Sequence, residues 1–246
     1  MICLTFDTDH MTPDWMDQFF EETPLPGRGT FFMWAPFPGM DWRGHVNEPH
    51  PHFEHLPDAP GQLTEFFKTL DHTNPRGFRA HSCVTSHMIC LAAKQVGVEY
   101  VSMASPTEHL GLKPYRHPWG VWEMPIYYMD NMDFCTPENW PDLNHKPFRK
   151  GIIEDSLNED GLFVYDFHPL HIALNTPNFS YYQSIKGELL SRQKSPFELR
   201  SSEYGTANFY EDLCEAMDKK GVKSVSLCEA LDAYKTGGDN ALSRAA

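Results

Sequence analysis

Four short apolar runs in this chain each stop at a side chain that handles protons or metals. Residues 2–6 (Ile-Cys-Leu-Thr-Phe) lead straight into Asp7-Thr8-Asp9, and residues 162–167 end on Asp166-Phe167-His168. Between them come the cluster His50-Pro51-His52-Phe53-Glu54-His55 and the segment Gly77-Phe78-Arg79-Ala80-His81. Alternate residues of a strand share a face, so Asp7 and Asp9 point the same way. Two neighbouring carboxylates repel unless a cation or a shared proton relieves them, and histidines are the natural co-ligands of such a cation. The pattern therefore calls for a metal site assembled at strand ends, with one carboxylate left over for chemistry.

Strands at 2–6, 29–34, 77–80, 98–102, 121–127, 162–167 and 222–227 alternate with helices at 13–20, 62–72, 86–95, 150–158, 207–219 and 228–234. The stretch 36–60 reads as loop. This alternation predicts βα units and a mainly parallel α/β sheet, open or closed. Such architectures collect their sites at the carboxyl ends of the strands, where Asp7, Asp9, Arg79 and His168 all fall. No composition break marks a linker, so residues 1–236 read as one domain, with 237–246 a disordered tail.

The net charge of −14 argues against nucleic acid, since lysine and arginine are needed to neutralise phosphates. It also disfavours anionic membrane surfaces, and no apolar run reaches the ~18 residues a bilayer span needs. The six cysteines form no CxxC pair and read as reduced thiols. With no export signature at the start, the expected compartment is the cytoplasm. Trp34, Trp42, Trp119, Trp122 and Trp140 lie in or beside proline-rich loops. They either stiffen those loops or line a sugar groove.

The order and spacing of Thr5-Phe6-Asp7-Thr8-Asp9, Thr30-Phe31-Phe32, the histidine cluster, Gly77-Phe78-Arg79 and Phe167-His168-Pro169 resemble the polysaccharide deacetylases of the NodB-homology type, carbohydrate esterase family 4. The likeness is nearer to the WbmS-type branch, through Phe6-Asp7-Thr8-Asp9, Arg79-Ala80-His81-Ser82 and Asp166-Phe167-His168-Pro169-Leu170-His171. It spans residues 2 to about 235. The resemblance implies a distorted (β/α)7 barrel, a divalent metal (usually zinc) and removal of acetyl groups from N-acetylated sugars.

The resemblance also assigns roles. Asp7 is the catalytic base, Asp9 a metal ligand, Arg79 the partner that keeps Asp7 ionised, and His168 the general acid. The family's two histidines four apart are missing, because His50, His52 and His55 offer only spacings of two, three and five. His50 is expected as a ligand, with the second ligand open among His55, His81 and His52. Asp166 is expected to orient a histidine or to cap a buried network. Asp130 and Asp133 match poorly the motif that orients the late histidine. The expected function is a metal-dependent deacetylase acting on a polysaccharide or on a lipid- or nucleotide-linked intermediate of surface-polysaccharide synthesis. A metal-dependent amidohydrolase for a small non-sugar amide, or an inactive sugar-binding domain, are the alternatives.

Overall fold

The computed structural model describes residues 1–53, 75–142 and 144–243. The helix expected over 62–72 and the candidate ligand His55 lie outside these residues.

The N-terminal strand β1 (Ile2–Asp7) is buried along its whole length. Its alternation sorts the side chains. Ile2, Leu4 and Phe6 join the core beneath the outer helices, whereas Cys3 faces an inner cluster with Phe32, Tyr100, Met124 and Val164. Thr5 and Asp7 share the parity of Cys3, so they face inward too. Helix α1 (Pro13–Glu22) starts where Thr12 accepts a hydrogen bond from the Trp15 N–H, with proline at its first turn, and buries Met16, Phe19 and Phe20. Fully burying one such aromatic side chain is worth roughly 1.5–3 kcal/mol.

Strands β2 (Gly29–Met33) and β3 (Val46–Pro49) follow, then β4 (Gly77–Phe78). Helix α2 (His87–Gln95) is capped by Ser86, which accepts from the Ile89 N–H. Next come β5 (Tyr100–Val101), β6 (Tyr115–Arg116), β7 (Trp122–Glu123) and β8 (Ile126–Met129). The remaining elements are α3 (Asp130–Asn139), α4 (Lys150–Asn158), β9 (Phe163–Phe167), α5 (Pro169–Leu174), α6 (Phe179–Leu190), α7 (Thr206–Lys219) and α8 (Leu227–Gly237).

The strands form two sheets, ordered β3-β2-β1-β9-β8 and β4-β5-β7-β6. Every pairing is parallel except that of β6 with β7. Backbone hydrogen bonds join the sheets at both seams. At one, the Arg79 N–H donates to Pro49 O (3.2 Å) and the His81 N–H to Pro51 O (2.9 Å). At the other, the chain runs from β7 into β8, and the Ile126 N–H donates to Ala104 O at 2.8 Å. These backbone hydrogen bonds link the two sheets, and β7 runs on into β8 through Pro125, which has no N–H to give. Helix α8 packs Leu227, Ala230 and Leu231 onto the inner cluster.

The expected strand over 222–227 is absent. Only an isolated bridge, Gly27 to Ser224, remains. Ser226 and Glu229 form a reciprocal capping box that starts α8 at Leu227 instead. Strand β3 sits in what reads as loop, because two prolines and mixed polarity hide a four-residue strand. Helices α3, α5 and α6 are likewise unforeseen. Past Gly237, Gly238–Ala241 forms a single 3₁₀ turn, and Leu242 is buried with its carbonyl accepting from the Gly161 N–H.

Candidate active site

The carboxyl ends of the inward-facing strands deliver polar side chains into one cleft of about 510 Å3. Asp7, Asp9, His50, His81, Asp166 and His168 all line it.

Beneath them lies Arg79, which is fully buried. Strand β4 brings it in after Gly77, where any Cβ would meet the Tyr100 ring at 2.2 Å, so the close approach requires glycine. The Arg79 guanidinium donates to Asp7 Oδ1 (2.9 Å), Asp166 Oδ1 (2.5 Å), Thr5 Oγ1 (2.9 Å) and both oxygens of Ser102 (2.9 Å each). Its plane also lies over the Phe32 ring at 4.5 Å. A buried cation needs this many partners to offset its lost hydration. One guanidinium therefore spans two carboxylates from adjacent strands. Burial pushes the Asp166 carboxyl well up; Arg79 opposes that rise and the Asp7 charge adds to it. Among the described residues Asp166 pairs with Arg79 and with no histidine.

Above Arg79, Asp9 gathers three imidazoles. His50 Nε2 lies 3.1 Å from Asp9 Oδ2, His81 Nδ1 3.2 Å from the same oxygen, and His52 Nε2 3.2 Å from Asp9 Oδ1. The four donor atoms lie within 4.8 Å of one another. Strand β3 aims His50 and His52, while β4 brings His81. Immediately after His81 the chain turns through two left-handed non-glycine residues, Ser82 (φ 55°) and Cys83 (φ 51°), a strained conformation of the kind that clusters at functional sites. Burial alone would raise the Asp9 carboxyl, but hydrogen bonds with the three histidines hold it far below the usual carboxylate range. His50, fully buried, also has its Nδ1 3.8 Å from Asp7 Oδ2. Burial disfavours its charge, yet the Asp7 and Asp9 carboxylates outweigh that and raise it.

This donor set fits a divalent cation. It combines one carboxylate with imidazoles, as zinc sites do, and a tetrahedral zinc ion with bonds of about 2.0–2.1 Å sets its ligand atoms about 3.3–3.4 Å apart. Small side-chain rotations bridge the difference.

On the far side, His168 leaves the end of β9. Its Nδ1 is 2.8 Å from Asp130 Oδ1, and its backbone N–H donates to Asp130 Oδ2 at 2.9 Å. Burial opposes a charged imidazole here, but the Asp130 carboxylate overcomes it and lifts His168 to about 10. His171, one turn along, is held neutral by burial, at about 3. Asp133 faces away from His168. It accepts from the Tyr128 hydroxyl (3.0 Å) and the Phe148 N–H (2.8 Å). The exposed indole of Trp140, with Met129 and Met132, supplies apolar lining to the same cleft.

Thus Asp7, Asp9, His50, His81, Arg79, Asp166 and His168 come together. His52, the last of the three candidates for the second ligand, and Asp130, a poor match to the motif that orients the late histidine, join them. The signals were present: His52 lies two residues from His50, on the same side of an extended segment, and Asp130 directly follows an apolar run.

The sequence profile of the WbmS-like polysaccharide deacetylases matches residues 47–186, more than half of the chain. The chain belongs to this family. Its activity class is accordingly carbohydrate deacetylation. A solved Bordetella bronchiseptica structure, WbmS, described as a polysaccharide deacetylase involved in O-antigen biosynthesis, is similar with a TM-score of 0.67 at 20% identity, over 87% of this chain and 89% of that one. The likeness shows a shared NodB-like (β/α)-barrel fold. A family 4 carbohydrate esterase from Streptomyces lividans, solved with acetate, aligns over 91% of this chain and 90% of that one at 13% identity and a TM-score of 0.43. Among curated proteins, no sequence matches the chain. No helix among the described residues is long and apolar enough to cross a membrane.

Proposed function

We propose that the chain is a divalent-metal-dependent hydrolase that removes the N-acetyl group from an acetamido sugar within a surface polysaccharide or one of its biosynthetic intermediates. The observation that carries this reading is the convergence of a carboxylate–three-histidine cluster, an arginine-held carboxylate and an aspartate-held histidine on one cleft. Asp9, His50, His52 and His81 would hold the metal, and their donor set suits zinc. A cation bound there supplies Lewis acidity toward the acetamide carbonyl and the attacking water.

The remaining work belongs to the protein's own side chains. Asp7 takes a proton from the water that attacks the carbonyl carbon. Arg79 donates a hydrogen bond to that carboxylate and holds it in place. As the C–N bond breaks, His168 gives its proton to the sugar nitrogen, and Asp130 steadies the imidazolium beforehand. Acetate and a free amino sugar result. The assignment of His52 and His81 removes the difficulty of the missing four-residue histidine pair, since two separate strands supply the ligands. The Bordetella relative's described part in O-antigen biosynthesis favours a surface-polysaccharide context.

Acetate release from acetamido sugars by the zinc-loaded protein tests the proposal. Asp7→Asn is expected to cut kcat by about 10²–10⁴-fold, the usual worth of a general base, while zinc stays bound. Undiminished turnover in that variant contradicts the assignment.

A further inference from the structure

Strands β3 and β4 carry the two arms of the histidine cluster, yet among the described residues no ladder of hydrogen bonds pairs them. His50 and His52 follow β3, and His81 lies just beyond β4. Two backbone bonds join the arms, from the Arg79 N–H to Pro49 O and from the His81 N–H to Pro51 O. Another contact lies upstream of both. Glu48, inside β3, is only 2% exposed, and its Oε1 accepts from the Tyr100 hydroxyl at 3.1 Å.

Tyr100 belongs to β5, so this bond passes over β4. The crossing point is Gly77, the partner of Tyr100 in the parallel register. A Cβ at Gly77 would lie 2.2 Å from Tyr100 Cε2 and 2.3 Å from Cζ, the carbon that bears the hydroxyl. The phenol end therefore lies directly against the Gly77 backbone on its way to Glu48. Glycine at 77 thus admits the tyrosine as well as the strand. Glu48, His50 and His52 are alternate residues, so an extended segment puts all three on one side.

We propose that Glu48 is a positioning residue for the metal centre: through Tyr100 it clamps β3 to β5 across Gly77 and sets the spacing of His50 and His52 from His81. The inference rests on the metal reading of that cluster. A slip of β3 by one residue would turn both histidines to the opposite face, and the Glu48–Tyr100 bond forms in one register only. An apolar side chain at 48 would fill the same interior without the cost of burying a carboxyl. The clamp serves register, as single buried polar groups do in other packed elements.

The test reads zinc affinity by competition with a chromophoric chelator, and the visible spectrum of the protein loaded with cobalt(II). Neither needs turnover. Glu48→Ala is expected to weaken zinc binding about tenfold or more, the usual effect of losing a group that orients metal ligands from behind. Its cobalt bands should shift and weaken. Glu48→Gln keeps an oxygen for the Tyr100 hydroxyl and should restore most of the affinity. Tyr100→Phe removes the hydroxyl alone, should weaken binding in the same direction, and serves if Glu48→Ala misfolds. Leu213→Ala, a truncation in the core beneath the outer helices, is the control. It should lower the melting temperature and leave zinc affinity and cobalt bands unchanged. Wild-type affinity and bands in both Glu48→Ala and Tyr100→Phe overturn the clamp alone. So does an equal loss of affinity in Leu213→Ala, or Glu48→Gln binding zinc no better than Glu48→Ala. A wild type that binds neither zinc nor cobalt overturns the metal reading, and the clamp with it.

Discussion

Asp130 holds His168 at two points, its Oδ1 2.8 Å from Nδ1 and its Oδ2 accepting the backbone N–H at 2.9 Å. The first contact fixes the ring and its charge, and the second fixes the start of α5. Burial alone would drive the imidazole toward neutrality, so its rise to about 10 depends on this carboxylate. Asp130→Asn should therefore move the alkaline limb of the kcat/KM–pH profile to lower pH and reduce kcat at neutral pH. The stability link has a definite sign. His168 is raised above its ordinary 6.5, so its contribution is fully present below about pH 6.5 and is lost as pH rises through about 10. Denaturant unfolding across that window should show the decline in the wild type and a flatter curve in Asp130→Asn.

Arg79 is the centre of a second relationship. Its guanidinium is shared between Asp7 and Asp166, all three buried. Removing one partner of a buried charge pair costs about 3–5 kcal/mol because the other charge is stranded. Arg79→Met should destabilise the protein by that order in urea unfolding and abolish acetate release. Adding Asp166→Asn should recover part of the stability but not the activity, since Asp7 still lacks its cation.

Much of this was legible in the sequence because strand ends are marked by abrupt changes from apolar to ionisable residues. Asp7, Asp9, Arg79 and His168 could be placed on one rim from that signal alone. The histidine set resisted, because spacing along the chain says nothing about which neighbouring strand lends a ligand; His81 reaches Asp9 from β4, 72 residues away. A strand of two residues such as β6 carries no periodicity to detect. Strand β3 hid among prolines, and the 222–227 run lost its apparent strand to the cap at Ser226, where local hydrogen bonding overrode an apolar pattern.

A ligand cluster that gathers three imidazoles round one carboxylate should couple metal binding to folding. Zinc at about 100 times its dissociation constant is expected to add about 2.7 kcal/mol to the unfolding free energy, and dialysis against a chelator should remove it. His52→Ala and His81→Ala should shrink the zinc-induced rise in melting temperature, whereas Asp7→Asn should leave most of it. Differential scanning calorimetry with and without zinc checks all three.

Trp140, 57% exposed at the cleft wall, offers an indole face suited to stack on a sugar ring. Aromatic contacts of this kind are worth about 0.5–1.5 kcal/mol, so Trp140→Ala should raise KM roughly two- to tenfold with little change in kcat. Stability should stay within about 0.5 kcal/mol, as for other exposed positions. Steady-state kinetics on a soluble acetamido saccharide separate the two parameters.

The most direct measurement is anomalous diffraction at the zinc edge from crystals grown with zinc. One strong peak is predicted at about 2.0–2.2 Å from Asp9 oxygen and from the ring nitrogens of His50, His52 and His81, within reach of Asp7. A map with no peak among those four side chains, or with its strong peak at another place on the molecule, would contradict the metal centre on which the proposed chemistry depends.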